Sequence, residues 1–210
     1  MKIEGVYLVA GLRYHKTFDE FLQAVEAALK AGVKIFQLRV KNDLEDKDHI
    51  YLARRTRELT AKYESLFIVD DRPDIALLSD ADGIHLGPND MYLHDARKIL
   101  GNDKIIGMSS HTEEQVKEAI NCGISYLSVG PVYETDCKKN PDPVVGTKLL
   151  QYAIDHTRIP IVAIGGIGLE CIKDVMQIGV KSIGVIRGIM QTENIYEASK
   201  NYIEEVQKYL

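Results

Sequence analysis

Eight short β-branched runs, each followed by a helical pattern, recur along this 210-residue chain at a spacing near 25 residues, and that alternation leaves few folds open. The runs are Val6–Val9, Ile35–Arg39, Leu66–Val69, Gly83–Leu86, Lys104–Met108, Tyr126–Val129, Ile161–Ile164 and Ser182–Ile186. Between them lie amphipathic segments. Over residues 17–31, Phe18, Phe21, Leu22, Val25 and Leu29 return at helical spacing, and Thr17 with Glu20 reads as a capping box. Gly32, Gly123 and Gly179 each stand where a helix closes and a strand opens, a position that favours a left-handed backbone. Successive βα units imply parallel strands joined by right-handed crossovers. Eight of them predict an α/β fold, a (β/α)8 TIM barrel forming a single domain over residues 1–210, near the lower length bound for that architecture. The competing doubly wound sheet has about five or six strands.

Composition excludes several function classes. Lys and Arg total 26 against 31 Asp and Glu, a formal charge of −5, so the chain lacks the broad positive field that nucleic acid or anionic lipid demands. No stretch approaches the roughly 18 apolar residues of a membrane span. Met1–Gly5 leads into no apolar run followed by a small-residue cleavage site, so a signal peptide is not expected. Cys122, Cys137 and Cys171 are odd in number and form no CxxC, which argues against a disulfide framework or a zinc site. The expectation is a reduced, cytoplasmic protein that handles small molecules, with a homodimer as the default assembly.

In a barrel of this kind the active site lies where strands end and the following loops begin. The second run ends Gln37-Leu38-Arg39-Val40-Lys41, and alternation puts Gln37, Arg39 and Lys41 on one face. A guanidinium fork and a mobile ammonium there suit an anionic ligand, the alternative being ion pairs with neighbouring acids. The third run ends Asp70-Asp71-Arg72-Pro73, and Asp90 follows the fourth. Carboxylates from adjacent strand ends suit Mg2+, which takes one or two of them plus phosphate oxygens. Alternatively Asp71 caps the helix opening at Pro73, and Asp90 the next one. The fifth run leads to Ser109, a candidate hydrogen-bonding residue, and to His111, either an acid/base near neutral pH or a residue that fixes its loop. Thr112 with Gln115 is a second capping box. Past the sixth run, residues 131–146 form the long irregular stretch, with Thr135 and Lys138 as phosphate-ligand candidates and Cys137 as a bystander thiol. The last two runs end in Gly165-Gly166 and Ile186-Arg187, where barrels often bind phosphate through backbone N–H groups. The tyrosines at 196, 202 and 209 fit one structural face of the final helix with Ile203 and Val206.

An ordered set of motifs runs along nearly the whole chain. It comprises Tyr7-Leu8-Val9, Gln37-Leu38-Arg39-x-Lys41, Asp71-Arg72-Pro73-Asp74, Ala81-Asp82-Gly83-Ile84-His85-Leu86-Gly87, Asp90, Gly107-x-Ser109-x-His111, Gly130-Pro131-Val132-Tyr133-x-Thr135-x-x-Lys138 and Ala163-Ile164-Gly165-Gly166-Ile167. In these the chain resembles the thiamine phosphate synthase (thiamine-phosphate pyrophosphorylase) family. The resemblance implies a barrel that joins hydroxymethylpyrimidine diphosphate to a thiazole phosphate by a dissociative displacement, releasing pyrophosphate. It further implies that Arg39, Lys41 and Lys138 hold the pyrophosphate and that Asp71 and Asp90 hold Mg2+. Gln37 and Ser109 would face the pyrimidine. Thr135, Gly165, Gly166 and the backbone around Ile186 and Arg187 would meet the thiazole phosphate. Three positions depart from the family pattern: Asp70 replaces a common Asn, Cys137 a Thr, and Arg187 a small residue. The loop Glu134–Lys139 also resembles that of a sister group, the thiazole tautomerases, in which a histidine matching His111 would move a proton. That group tends to lose Gln37, Arg39, Lys41, Asp71 and Asp90, all kept here, so the synthase reading is favoured. A non-catalytic barrel that binds thiamine precursors is the remaining alternative.

Overall fold

The computed structural model describes residues 2–41, 44–135 and 142–210. Its elements, in chain order, are β1 (Gly5–Ala10), α1 (Phe18–Ala31), β2 (Ile35–Leu38), α2 (Asp46–Lys62), β3 (Leu66–Asp70), α3 (Pro73–Leu78), β4 (Gly83–Leu86), α4 (Leu93–Leu100), β5 (Ile105–Ser110), α5 (Glu113–Ala119), β6 (Tyr126–Val129), α6 (Gly146–His156), β7 (Ile161–Ile164), α7 (Ile172–Met176), β8 (Ser182–Val185), α8 (Arg187–Met190) and α9 (Ile195–Gln207). Each strand pairs in parallel with its sequence neighbours, and β1 also pairs with β8, which closes the barrel. The (β/α)8 expectation is met. Five strand ends differ from it: β1, β3 and β5 run on to Ala10, Asp70 and Ser110, while β2 and β8 stop one residue early, at Leu38 and Val185. Among the described residues no helix is long and apolar enough to cross a membrane.

The period-two alternation of each strand divides the core in two. Leu8, Phe36, Phe67, Ile84, Ile106 and Leu127 point outward and join the larger apolar cluster under the helices. Burying each such side chain is worth about 1.5–3 kcal/mol, so this outer layer carries most of the hydrophobic stabilisation. Tyr7, Val9, Ile35, Leu66, Ile68, Tyr126 and Val162 point inward and form a second, smaller cluster. Along the inward rows, side chains turn polar toward the strand C-termini. Ile35 gives way to Gln37, Leu66 and Ile68 to Asp70, and Ile105 and Gly107 to Ser109. The outer layer thereby frees the upper interior for polar groups.

The helix boundaries follow local chemistry. Thr17 Oγ1 accepts from Glu20 N at 3.2 Å, as the capping box predicts, but the Glu20 carboxylate accepts from Lys16 N instead of the cap residue. The second box is shifted in the same way: Thr112 Oγ1 accepts from Gln115 N, and Gln115 Oε1 accepts from His111 N at 2.7 Å. Gly32 ends α1 with φ of 112°, the left-handed conformation expected there. The predicted tyrosine face of the last helix is corrected. Tyr202 and Val206 are buried and Ile203 and Tyr209 pack against the core as expected, but Tyr196 is exposed, and Tyr209 lies beyond the end of α9.

Candidate active site

The strand C-termini surround a cavity of about 480 Å³ lined by residues from every strand end. On the β2–β4 side its wall is ionic. Asp70, at the end of β3, is buried and accepts ion pairs from Arg39 Nε at 3.3 Å and Lys41 Nζ at 3.4 Å. Successive strand residues point to opposite faces, so Asp71 should leave the cavity. It does not, because its backbone turns left-handed at φ of 62°, a conformation Asp tolerates better than most residues. Asp71 N donates to His85 O at 2.9 Å, and Arg72 forks onto Asp74 while also reaching Asp46 at 3.0 Å. These bonds hold the turn, and Asp71 Oδ2 meets Lys41 Nζ in close contact.

The two proposed capping roles are not filled. The residue before α3 is Arg72, with no side-chain cap, and α4 opens after Tyr92, also without one. Asp90 Oδ2 instead accepts from Gly87 N at 2.7 Å and shares a hydrogen bond with Asp71. Burial pushes the Asp71 carboxyl up, the Asp70 charge and the Asp90 bond add to it, and Lys41 opposes them; the result is about 7. Burial also acts on Asp90, but the Asp71 bond and the Gly87 N–H outweigh it and leave Asp90 below the usual carboxylate value. Burial alone would depress Lys41; Asp70 and Asp71 overcome it and hold the ammonium above its ordinary value.

Beneath this wall, a chain of buried hydrogen bonds crosses the barrel. Gln37 Nε2 donates to Asp70 Oδ1 at 2.6 Å, and Tyr7 Oη donates to Gln37 Oε1 at 2.8 Å. The Tyr7 and Tyr126 hydroxyls lie 2.6 Å apart, Tyr126 Oη lies 2.9 Å from His85 Nδ1, and His85 Nε2 lies 2.8 Å from Ser109 Oγ. Gly107 makes room for this chain: a Cβ there would occupy the Tyr126 ring. Burial pushes both tyrosine hydroxyls above their ordinary pKa, so they remain neutral hydrogen-bonding groups. Gln37 and Ser109 were expected at the site. Tyr7, Tyr126 and His85 were not singled out as site residues, although each sits at an inward position of its strand.

The β6–β8 side is built differently. Gly165 and Gly166 have φ of 99° and 66°; a Cβ on Gly165 would lie 2.5 Å from Pro131 Cα, and one on Gly166 2.8 Å from Tyr133 Cβ. The loop after β6 thus lies directly on the glycine turn, bonded through Tyr133 N to Gly165 O at 2.9 Å. Close loop packing requires these glycines whether or not a ligand is bound. Thr135, Ile186 and Arg187 line the same end of the cavity, as does Tyr202, which reaches it from α9. The Tyr202 hydroxyl donates to Ile167 O at 3.4 Å, a role hidden in the sequence by its helical context. His111 also lines the cavity. Its Nδ1 lies 2.5 Å from Gly130 O, and its Nε2 lies 3.5 Å from Asp142 Oδ2, so it ties β5 to the loop after β6. Lys138 and Cys137 lie outside the described residues.

Comparison with known proteins identifies the family. The family model described as thiamine monophosphate synthase matches residues 6–189. The chain is 42% identical over 190 residues to a thiamine-phosphate synthase of Synechocystis sp., covering 90% of this chain and 55% of that protein. It is 38% identical over 188 residues to one from Dictyoglomus thermophilum, covering 90% and 84%. Among solved structures it is similar to a thiamine phosphate pyrophosphorylase from Pyrococcus furiosus, with a TM-score of 0.89, 33% identity and coverage of 100% and 98%. The chain therefore belongs to the thiamine monophosphate synthase family, whose named members here are transferases.

Proposed function

We propose that this chain is a thiamine-phosphate synthase that couples hydroxymethylpyrimidine diphosphate with a thiazole phosphate, releasing pyrophosphate. The observation that carries the reading is one cavity with two unlike ends. Arg39, Lys41 and the Asp71–Asp90 pair face a wall of glycine turns. The ionic end suits a diphosphate, and the glycine end suits a single phosphate bound through backbone groups.

Asp71 and Asp90 fit a divalent cation. Asp71 Oδ1 is buried without a hydrogen-bond partner, and the two carboxyls share a bond that needs a proton when no cation is bound. Among the described residues no group of three or more His, Cys, Asp and Glu side chains forms a metal cage, so the remaining ligands would be diphosphate oxygens and water. Bound there, Mg2+ would neutralise charge developing on the departing pyrophosphate.

The chain's own residues do the rest. As the bond between the pyrimidine methylene and the diphosphate oxygen breaks, both bonding electrons leave with pyrophosphate. Arg39 and Lys41 stabilise that growing charge more than they stabilise the ground state, which lowers the barrier. The thiazole nitrogen then supplies the electron pair for the new C–N bond, and no protein nucleophile is needed. The glycine end holds the thiazole phosphate so that this nitrogen, rather than water, meets the cation-like methylene. His111 serves the fold of the loop in this reading, whereas a tautomerase would use it as an acid/base.

The test is to incubate purified protein with both substrates and Mg2+, then follow thiamine phosphate by fluorescence after oxidation. Mg2+-dependent product that collapses in Asp90→Ala supports the synthase. Folded protein that binds precursors without product contradicts it and favours the binding-module alternative. Isomerisation of a thiazole phosphate carboxylate, abolished in His111→Ala, would favour the tautomerase.

A further inference from the structure

We propose that Tyr202, carried by the last helix, is a specificity residue of the cavity's glycine end: its hydroxyl donates a hydrogen bond to an oxygen of a monophosphate bound there. That the monophosphate is a thiazole phosphate rests on the synthase reading; that this hydroxyl serves a phosphate oxygen rests on geometry.

Helix α9 lies outside the strands and packs on α1, α8 and β1. At 4% exposure Tyr202 has the burial of a core residue, yet it lines the cavity together with Thr135, Gly166 and Arg187. Two observations locate its hydroxyl. A Cβ built on Gly188, the second residue of α8, would overlap Tyr202 Oη. The hydroxyl thus fills the space that a side chain at 188 would take, and Gly188 also lines the cavity. The bond from Tyr202 Oη to Ile167 O, at 3.4 Å, is longer than the about 2.5–3.0 Å usual for an O–H···O bond. Ser65, Ser79 and Ser199, also buried, close theirs onto Val33 O, Ile75 O and Ile195 O at 2.7 Å. The Tyr202 proton is therefore loosely committed, and rotation about the phenol C–O bond redirects it.

Burial pushes the phenol above its ordinary pKa, and Glu170 and Cys171 push the same way, so it keeps its proton and donates. Glu170 lines the same end, where its carboxylate repels a phosphate. A neutral donor offsets part of that repulsion. An O–H bond onto an ionised oxygen shortens to about 2.5–2.7 Å and is roughly twice as strong as one onto a neutral carbonyl, so a phosphate oxygen draws the hydrogen bond away from Ile167 O. If Tyr202 were only a core ring tying α9 to Ile167, loss of its hydroxyl would cost stability without separating one ligand from another.

The test is titration calorimetry of the parent protein and Tyr202→Phe with thiazole phosphate, inorganic phosphate and the pyrimidine diphosphate. Tyr202→Phe should raise the Kd for thiazole phosphate by about 10-fold, the loss of a bond to a charged group, while that for the pyrimidine diphosphate stays within about twofold. A rise below about threefold, or an equal rise for both ligands, overturns the inference, because a ring with a purely structural role weakens neither end or both. Gly188→Ala presses on the same hydroxyl and should cause the same selective loss; it decides alone if Tyr202→Phe does not fold. Inorganic phosphate separates this inference from the synthase reading. Phosphate binding that Tyr202→Phe weakens, with no binding of thiazole phosphate by the parent, defeats the synthase reading and upholds Tyr202 as a phosphate residue. A parent that binds neither overturns both.

Discussion

From β2 to β4 the cavity wall presents Arg39, Lys41, Asp70, Asp71 and Asp90, whereas from β6 to β8 it presents Gly130, Gly165, Gly166, Gly184 and Gly188. The first wall works through side-chain charge. Its Asp71 carboxyl rises to about 7 because burial and Asp70 act together, and Lys41 is drawn between two acids. The second wall mixes glycine turns with side chains such as Thr135, Arg187 and Tyr202, and its shape depends on the loop after β6 lying against Gly165 and Gly166. Charge is sensitive to pH, salt and metal; close packing is sensitive to volume. Perturbations should therefore separate the two ends.

The largest effect is expected at the ionic wall. Lys41→Ala should lower kcat/KM by about 10²–10³, the usual loss when a group that stabilises transition-state charge is removed. Initial-rate kinetics decide it, and activity within a few-fold of the parent would remove Lys41 from the chemistry. At the glycine wall, Gly166→Ala places a Cβ against Tyr133 and Glu134 O at φ of 66°. It should destabilise the fold by about 1–3 kcal/mol, which thermal melting reads as a drop of several degrees. An unchanged melt would mean that the loop after β6 yields freely.

A pH series sharpens the contrast. Asp71 keeps its proton up to about pH 7 in the fold, against an ordinary value of 3.8. Within that window the folded chain binds more protons than the unfolded one, so metal-free stability falls as pH rises. Mg2+ would compete with the shared proton, so its stabilising effect should grow from about pH 5 to about pH 8. A Mg2+ effect that is flat with pH would contradict the carboxylate pair as its site. The smallest effect belongs to Arg72→Lys. The Arg72 fork onto Asp74 is half exposed and partly screened, so the melt should fall by no more than about 1 kcal/mol equivalent.

What could be read from the sequence differs between the same two regions. The eight strands were visible because period-two apolar runs recur between amphipathic helices, and three strands, Gly83–Leu86, Tyr126–Val129 and Ile161–Ile164, end where expected. Arg39, Lys41 and Asp90 announced themselves by residue type at strand ends. Asp71 did so only in part, since its entry into the cavity depends on a left-handed turn that its sequence neighbours do not encode. Tyr7, His85 and Tyr126 were hidden among β-branched neighbours, where an aromatic ring reads as core. Their signal was phase: His85 alternates inward between outward Ile84 and Leu86, as does Tyr126 two residues before Ser128. The glycine wall was visible as Gly165-Gly166, but the loop contacts that require it join residues more than thirty positions apart.

The account's central claim is that one substrate phosphate group belongs to each wall, and paired KM measurements test it most directly. Arg39→Ala should raise the KM for the pyrimidine diphosphate by about tenfold or more while leaving that for the thiazole phosphate nearly unchanged, and Gly166→Ala should do the reverse. If both variants raise the same KM, the two ends do not divide the substrates between them and the account fails.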